Sequence, residues 1–230
     1  QEAAGIAVSD GSSVVVYKDL GLVSQVFDEP TLASLRGHLA IGHTRYSTTG
    51  GSNWENAQPT IRATTAGTTI ALAHNGNLVN TGELARKVAA TGIGAQGPVS
   101  TNDTSLVTSL LASDPDRSLE QAALEVLPTL RGAFSFVFMD ESTLYAARDP
   151  QGVRPLVLGR LERGWVVASE TAALDIVGAS FVREVEPGEL LAIDADGIRS
   201  AHFAAAEPKG CVFEYVYLAR PDTTIAGRGV

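Results

Sequence analysis

The sequence predicts an α+β fold in which antiparallel β-sheets are layered against helices. In the second half of the chain, β-rich segments follow one another with only short polar turns between them, and such short connections force neighbouring strands to pair antiparallel. These segments lie at 133–139, 143–147, 156–159 and 165–169. The longer helical patterns are grouped in the middle of the chain, and 230 residues are enough to bury one large core.

The first part of the chain contains a hairpin, a short helix and a strand. Residues 5–11 and 13–18 are β-rich and meet at an Asp-Gly turn, which is a strong hairpin signal. Residues 30–35 begin with a proline after two acidic residues, which suits the first turn of a helix, and they lead into a strand that ends at Arg45. Residues 52–59 are polar and irregular, so we expect a loop there that could fold over a ligand.

A buried strand and three helices follow. Residues 68–74 are rich in strand-forming residues and partly continuous in apolar character, which predicts a well-buried strand. Residues 81–90 have helical spacing, with the first of them, Thr81, as the expected N-cap. Apolar residues recur at helical spacing after Thr104 and again after Leu119, and Pro128 predicts a bend or an early end of the later helix.

The last part of the chain adds a short helix and more strands, and then changes character. A helix is expected at 171–177, and strands are expected at 182–185, 189–193 and 198–203. The segment 207–210 has the composition of a linker, and the apolar segment 212–218 is predicted to form a new strand.

Composition narrows the function classes. The net charge of −9 would repel phosphate backbones and acidic lipids, so neither nucleic acid nor a membrane is an expected partner. No apolar run approaches the roughly 20 residues that span a bilayer. The single cysteine, Cys211, excludes an internal disulfide framework. Because the sequence has no such apolar run and does not open with a signal peptide, we expect a cytoplasmic protein.

Three polar segments stand out as a candidate site. The first, 43–51, carries an arginine, a tyrosine and hydroxyl groups from a strand onto a Gly-rich loop, which suits the binding of a small anion. Its arginine taken alone could equally form an ordinary surface ion pair, which contributes little. The segments 73–77 and 100–104 favour a functional interpretation, and together the three indicate a glutamine site.

These segments carry a family resemblance. HTRYSTTGG, AHNGNLVN and STNDTS, in this order, resemble the glutaminase domain of the amidophosphoribosyltransferase family. Later segments extend the resemblance to the end of the chain, at 149–156, 168–171, 186–189 and 213–222. It implies a class II glutamine amidotransferase with the four-layer α/β/β/α sandwich of N-terminal nucleophile hydrolases, built on two antiparallel sheets.

The resemblance also implies a division of the chain and a missing nucleophile. Residues 1–206 would form the glutaminase domain, and 207–230 a linker and the first strand of a phosphoribosyltransferase domain. In this family a cysteine at the mature N-terminus attacks glutamine, with its own α-amino group as the base. Because this chain opens with Gln1, its N-terminal strand and that cysteine are expected upstream, and the fragment alone is predicted to be inactive.

The intact enzyme would transfer ammonia from glutamine to phosphoribosyl pyrophosphate, giving 5-phosphoribosylamine in the first step of de novo purine (IMP) biosynthesis. The fragment would bind glutamine, and the absent domain would bind phosphoribosyl pyrophosphate with Mg²⁺. We also expect a homo-oligomer. The alternatives are a glutaminase domain of the glucosamine-6-phosphate synthase or asparagine synthetase type, or a non-catalytic glutamine-binding fragment.

By the resemblance, residues of opposite charge bind the two ends of glutamine. Arg45 would hold the α-carboxylate in a bidentate pair, and Thr48 would add a hydroxyl. Asp103 would bind the α-ammonium group. Asp103 could also be the N-cap of the helix that starts near Thr104, and the two roles are compatible.

The resemblance assigns the Asn75 side chain and the Gly76 backbone N–H to an oxyanion hole. The alternative is structural, because Asn-Gly between apolar runs is a strong hairpin signal. Tyr46, with the loop after it, would form a lid over the substrate, and its alternative is packing in the core.

Two further sets of residues have mainly structural interpretations. Cys211 would be an inert packed residue, or one of four ligands of a [4Fe-4S] cluster in one branch of the family, a cluster that this fragment alone could not form. Four residues of the later segments are expected to serve turns, ion pairs and strand registration: Asp149, Arg154, Ser169 and Glu170.

Overall fold

The computed structural model describes residues 2–46, 53–92 and 102–230. Within them the strands are β1 Ala3–Ser9, β2 Val14–Leu20, β3 Leu39–Arg45, β4 Thr60–Ala63, β5 Thr69–Leu78, β6 Gly132–Met139, β7 Leu144–Arg148, β8 Val157–Leu161, β9 Gly164–Ala168, β10 Ser180–Glu184, β11 Glu189–Asp194, β12 Gly197–His202, β13 Thr224–Ile225 and β14 Arg228–Gly229. The α-helices are α1 Val23–Val26, α2 Glu29–Ser34, α3 Thr81–Thr91, α4 Asp103–Leu111, α5 Leu119–Val126 and α6 Thr171–Val177. Short 3₁₀ segments are Trp54–Asn56 and Leu127–Thr129, and Glu214–Leu218 is π-helical.

The described strands pair antiparallel in sheets of different size. The largest has six strands in the order β12-β11-β7-β6-β5-β4. Two smaller sheets have three strands each, in the orders β2-β1-β3 and β10-β8-β9, and a short ribbon joins β13 to β14. The predicted antiparallel pairing is confirmed.

The six-stranded sheet is buried on both faces, which explains its continuous apolar sequences. Along β5, Ile70 and Leu72 face a core shared with α3, α4 and α5. Ala71 and Ala73, between and beyond them, face a second core shared with the two three-stranded sheets. This alternation is the normal two-residue period of a strand. Every strand residue from 70 to 73 is therefore apolar.

A third core completes the layers. In it, Leu174 of α6 packs against Val157 of β8, on the face of the β10-β8-β9 sheet that points away from the six-stranded sheet. The predicted α+β fold with α/β/β/α layers is thus confirmed. The second β layer, however, is divided into two three-stranded sheets, so the prediction of two sheets describes layers rather than hydrogen-bonded units.

Most predicted elements are confirmed, with small shifts at their ends. The first hairpin and the helix after it form as expected, and α5 ends at Val126, just before the helix-breaking Pro128. The predicted N-cap of α3 is wrong by one residue. Thr81 is the first helical residue, and Asn80 occupies the N-cap position while its side chain bonds to the backbone at Thr129 and Arg131.

The predicted strand at 212–218 is wrong. Residues Glu214–Leu218 are π-helical, and the apolar side chains of Val216 and Tyr217 are exposed. An apolar, β-branched sequence forms a strand only where a neighbouring strand can pair with it. The segment is fixed instead by Glu214, which is buried and forms an ion pair with Arg154.

Candidate active site

The candidate site centres on the C-terminal half of β5. Asn75 pairs with Ser135 of β6, and Gly76 pairs with Phe134. Gly76 has a φ of +148°, and a Cβ atom built there would overlap the carbonyl oxygen of Ala133. Glycine is therefore required by both conformation and close approach. The hairpin alternative for Asn75 and Gly76 is wrong, because both lie inside a ten-residue strand.

Arg45 is brought to this strand by β3, of which it is the last residue, and it is buried. Two residues earlier, the ring of His43 crosses between the β layers, with Nε2 at 3.1 Å from the carbonyl oxygen of His74. Burial lowers the pKa of His43 to about 4, so the ring is neutral near pH 7. A carbonyl oxygen only accepts, so Nε2 carries the hydrogen. This bond fixes the end of β3 against β5.

Asp103 reaches β5 from the other side, as the first residue of α4. Its Oδ2 accepts the backbone N–H of Leu78 at 3.1 Å and lies 3.4 Å from Nδ1 of His74. Its Oδ1 accepts the backbone N–H of Thr104 at 2.8 Å. Burial alone would raise the pKa of Asp103, but these bonds outweigh burial and lower it. The carboxylate is therefore negative at neutral pH.

The interpretation of Asp103 as an N-cap is wrong by one residue. Asn102 is the N-cap of α4, and its Oδ1 accepts the backbone N–H of Ser105 at 2.7 Å. The carboxylate of Asp103 still lies in the first helical turn, where the helix dipole stabilises negative charge. Oδ1 of Asp103 bonds within this turn, to the N–H of Thr104, and Oδ2 faces β5.

His74 is a member of the site that the sequence did not identify. It is buried, lies 4.6 Å from the ring of Phe136, and bonds to Asp103 through Nδ1. Its Nε2 has no hydrogen-bond partner among the described residues and is next to Gly76. The ring thus lies between the Asp103 carboxylate and Gly76. The sequence does not indicate this position, because Asp103 is distant from His74 along the chain.

Two residues interpreted as structural also contact the site. Arg154 donates from Nε to Oδ1 of Asn75 at 3.2 Å, and Nδ2 of Asn75 donates to Oγ of Ser169 at 3.5 Å. Both residues lie in segments that carry the family resemblance, and this was the one feature of the sequence that could have indicated their part in the site. Asp149 has the structural role that was predicted, since its buried carboxylate accepts backbone N–H groups of the turn that follows it.

The predicted lid lies largely outside the described residues. Thr48 and the rest of 47–52 belong to that part, so the role of Thr48 stays a prediction. Tyr46 is described, and its side chain is 75% exposed. The alternative of core packing for Tyr46 is therefore wrong, and its role in a lid stays a prediction.

Cys211 is half-buried and lies just before the π-helical segment. A [4Fe-4S] cluster requires four ligands, usually thiolates, and this chain has one cysteine. The described residues also contain no group of three or more His, Cys, Asp or Glu side chains placed to hold a metal ion. The residues of this chain therefore do not fit the cluster, whose presence in a longer protein stays a prediction, as does Mg²⁺.

The arrangement has the chemical groups needed to bind an amino acid and polarise an amide. β3 supplies a cation, α4 supplies an anion, and β5 supplies an amide side chain and an exposed glycine between them. All three elements meet at residues 74–78 of β5. The sequence-predicted residues Arg45, Asn75, Gly76 and Asp103 are thus carried to one region of the fold.

Comparison with known proteins identifies the family of this chain. Residues 43–176 match the family model of the glutamine amidotransferase domain. The chain is 70% identical over 233 residues to an amidophosphoribosyltransferase of Mycobacterium tuberculosis, covering 100% of this chain and 44% of that protein. It is 40% identical over 231 residues to the amidophosphoribosyltransferase of Bacillus subtilis, covering 100% of this chain and 48% of the relative. The chain thus spans about half the length of these relatives.

The fold agrees as well. The solved glutamine phosphoribosylpyrophosphate amidotransferase of B. subtilis, in complex with ADP and GMP, superposes with a TM-score of 0.91 at 38% identity. The match covers 100% of this chain and 49% of that one. Among the helices that the structure describes, each is too short or too polar to cross a bilayer.

Proposed function

Because this chain belongs to the glutamine amidotransferase domain family, we propose that it is the glutaminase part of an amidophosphoribosyltransferase. The observation that carries the proposal is the meeting of β3, β5 and α4, which brings Arg45, Asn75–Gly76 and Asp103 to one region. These residues have the charges and donors that glutamine hydrolysis requires.

Recognition of glutamine uses the two charged residues. The guanidinium group of Arg45 binds the α-carboxylate, for which its planar pair of N–H donors is suited. Asp103, which the bonds from His74, Leu78 and Thr104 keep ionised, binds the α-ammonium group. A zwitterion held at both ends presents its side-chain amide in one direction, toward β5.

Hydrolysis uses the two residues of β5. A thiolate attacks the amide carbon of glutamine, and the carbonyl oxygen becomes an oxyanion that accepts hydrogen bonds from Nδ2 of Asn75 and the N–H of Gly76. Such a donor typically stabilises the transition state by about 2.7–4 kcal/mol. The α-amino group of the same cysteine, which took the proton of the thiol, gives it to the amide nitrogen, the C–N bond breaks and ammonia leaves. Water then hydrolyses the thioester, which gives glutamate and restores the thiol. The thiolate belongs to an N-terminal cysteine that these 230 residues do not include, since their one cysteine is Cys211.

The full-length protein would pass the ammonia to phosphoribosyl pyrophosphate, giving 5-phosphoribosylamine and pyrophosphate for purine biosynthesis. Identity to amidophosphoribosyltransferases over the whole chain, including residues 207–230, supports this acceptor over those of the glucosamine-6-phosphate synthase and asparagine synthetase types. We also propose a cytoplasmic location, since a single cysteine cannot form an internal disulfide and disulfides are rare in the cytosol. We also propose a homo-oligomer.

We expect the full-length protein to release glutamate from glutamine and, with Mg²⁺ and phosphoribosyl pyrophosphate, to form one pyrophosphate for each glutamate. The 230-residue chain should release none, because it lacks the nucleophile. Coupled assays for glutamate and pyrophosphate measure both. Turnover by the 230-residue chain would contradict the assignment of the nucleophile. Turnover of the full-length protein with fructose 6-phosphate or aspartate as acceptor, in place of phosphoribosyl pyrophosphate, would contradict the assignment of the acceptor.

A further inference from the structure

Asn75 is held by an arginine that comes from a distant loop. Nε of Arg154 lies 3.2 Å from Oδ1 of Asn75, at a separation of 79 residues in sequence. We propose that Arg154 is a positioning residue for glutamine hydrolysis, which turns the NH₂ group of Asn75 toward the oxyanion. The inference rests on the proposed function and concerns how its oxyanion hole is oriented.

The chemistry of the two side chains allows only one orientation of the Asn75 amide. An asparagine amide has an oxygen on one side and an NH₂ group on the other, and the two orientations are nearly equal in shape. A guanidinium group has five N–H donors and no acceptor. Only the oxygen of Asn75 can therefore face Arg154. The NH₂ group is turned away, and an oxyanion hole requires a donor in that position.

The remaining contacts of the amide agree with this orientation. Nδ2 of Asn75 has one long hydrogen bond, of 3.5 Å, to Oγ of Ser169. An NH₂ group has two hydrogens, so this bond leaves one for the substrate. Asn75 is only partly buried, which leaves its amide accessible. The side chain is thus fixed on its oxygen side and open on its nitrogen side.

Arg154 is itself held in place. Its Nη1 forms an ion pair with Glu214, whose side chain is 5% exposed. Its backbone carbonyl accepts from Nε of Arg148 at 2.8 Å and from Oγ of Ser135 at 3.1 Å. Ser135 is also the strand partner of Asn75. The backbone of Arg154 is therefore tied to the strand next to Asn75, and its guanidinium group is tied to Glu214.

A purely structural role is the alternative, in which Arg154 only anchors the segment that contains Glu214. The two roles differ in what a substitution changes. An anchor affects stability and leaves turnover unchanged, whereas a positioning residue lowers kcat and leaves KM for glutamine nearly unchanged. A positioning residue also has no effect once the group that it positions has been removed.

The test measures glutamine hydrolysis by the full-length protein with Arg154→Met, Asn75→Ala and the double variant. We expect Arg154→Met to lower kcat about 10- to 100-fold, less than the loss of a whole oxyanion donor, with KM within about threefold. The double variant should be no more than about twofold slower than Asn75→Ala. The control is Arg160→Met, which removes an exposed arginine that lies over Trp165 and should keep full activity.

Arg154→Lys provides a second variant if Arg154→Met does not fold. Lysine keeps a positive charge beside Glu214, but it lacks the planar group that serves Asn75 and Glu214 at once, so a fall in kcat is again expected. The inference is overturned if kcat of the folded variant stays within about twofold of wild type, or if its effect multiplies fully with that of Asn75→Ala. If the wild-type full-length protein does not hydrolyse glutamine, the proposed function fails, and this inference fails with it.

Discussion

Replacing Asn75 with alanine in the full-length protein should lower kcat for glutamine hydrolysis about 10²- to 10³-fold. The amide of Asn75 is the side-chain donor of the proposed oxyanion hole, and its charge-stabilising bond forms only as the carbonyl oxygen becomes negative. An interaction made only in the transition state changes kcat and leaves substrate binding alone. KM for glutamine should therefore stay within about threefold of wild type in steady-state assays of glutamate release.

The matched control is Asn77→Ala, two residues along the same strand and on the same face. Its Nδ2 donates to the backbone oxygen of Leu78, and we expect its loss to change kcat by less than about fivefold. A higher KM with unchanged kcat for Asn75→Ala would instead assign Asn75 to ground-state binding of glutamine. Equal losses in both variants would indicate a general disturbance of β5.

Replacing Gly76 with alanine should destabilise the fold by about 3 kcal/mol or more. The φ of +148° is unfavourable for any residue with a Cβ atom. The new methyl group would also overlap the carbonyl oxygen of Ala133 and lie next to Nε2 of His74. Gly76 is paired with Phe134, and Ala133 with Asn77, so the two backbones cannot separate here without disrupting the pairing of β5 with β6. Denaturant unfolding of the variant and wild type measures the difference.

Gly82→Ala is the control for a glycine that has no such constraint. Gly82 lies in the first turn of α3, and an added Cβ would meet no atom within 4 Å. Alanine favours helices over glycine by about 1 kcal/mol in helix interiors, so this variant should be as stable as wild type or slightly more stable. A Gly76→Ala variant as stable as wild type would contradict the described path of β5.

The layers of the fold could be predicted because their signals are local. Short connections between β-rich segments required antiparallel pairing, and the apolar run at 133–139 became β6, which is buried on both faces. The strand predicted at 212–218 was wrong because a strand there depends on distant residues. Its composition suits a strand, but only a partner strand makes that conformation favourable, and a partner is a property of the whole fold.

The candidate site was predictable in part. Arg45, Asn75 and Asp103 could be identified because each lies in a distinctive segment of the resemblance. The contacts that hold these residues could not be predicted. Arg154 bonds to Asn75 at a separation of 79 residues, and His74 contacts Asp103 on a different element, and no local sequence pattern encodes either contact. The N-cap of α4 was missed by one residue, since Asn102 and Asp103 are both suitable caps.

The most direct test of the central claim is a crystal structure of the full-length protein with the product, L-glutamate, bound. We expect the α-carboxylate to lie on the guanidinium group of Arg45 and the α-ammonium group on the carboxylate of Asp103, each at about 3 Å. The γ-carboxylate should point toward Asn75 and Gly76. Glutamate bound away from these residues, or with its two ends reversed, would contradict the account.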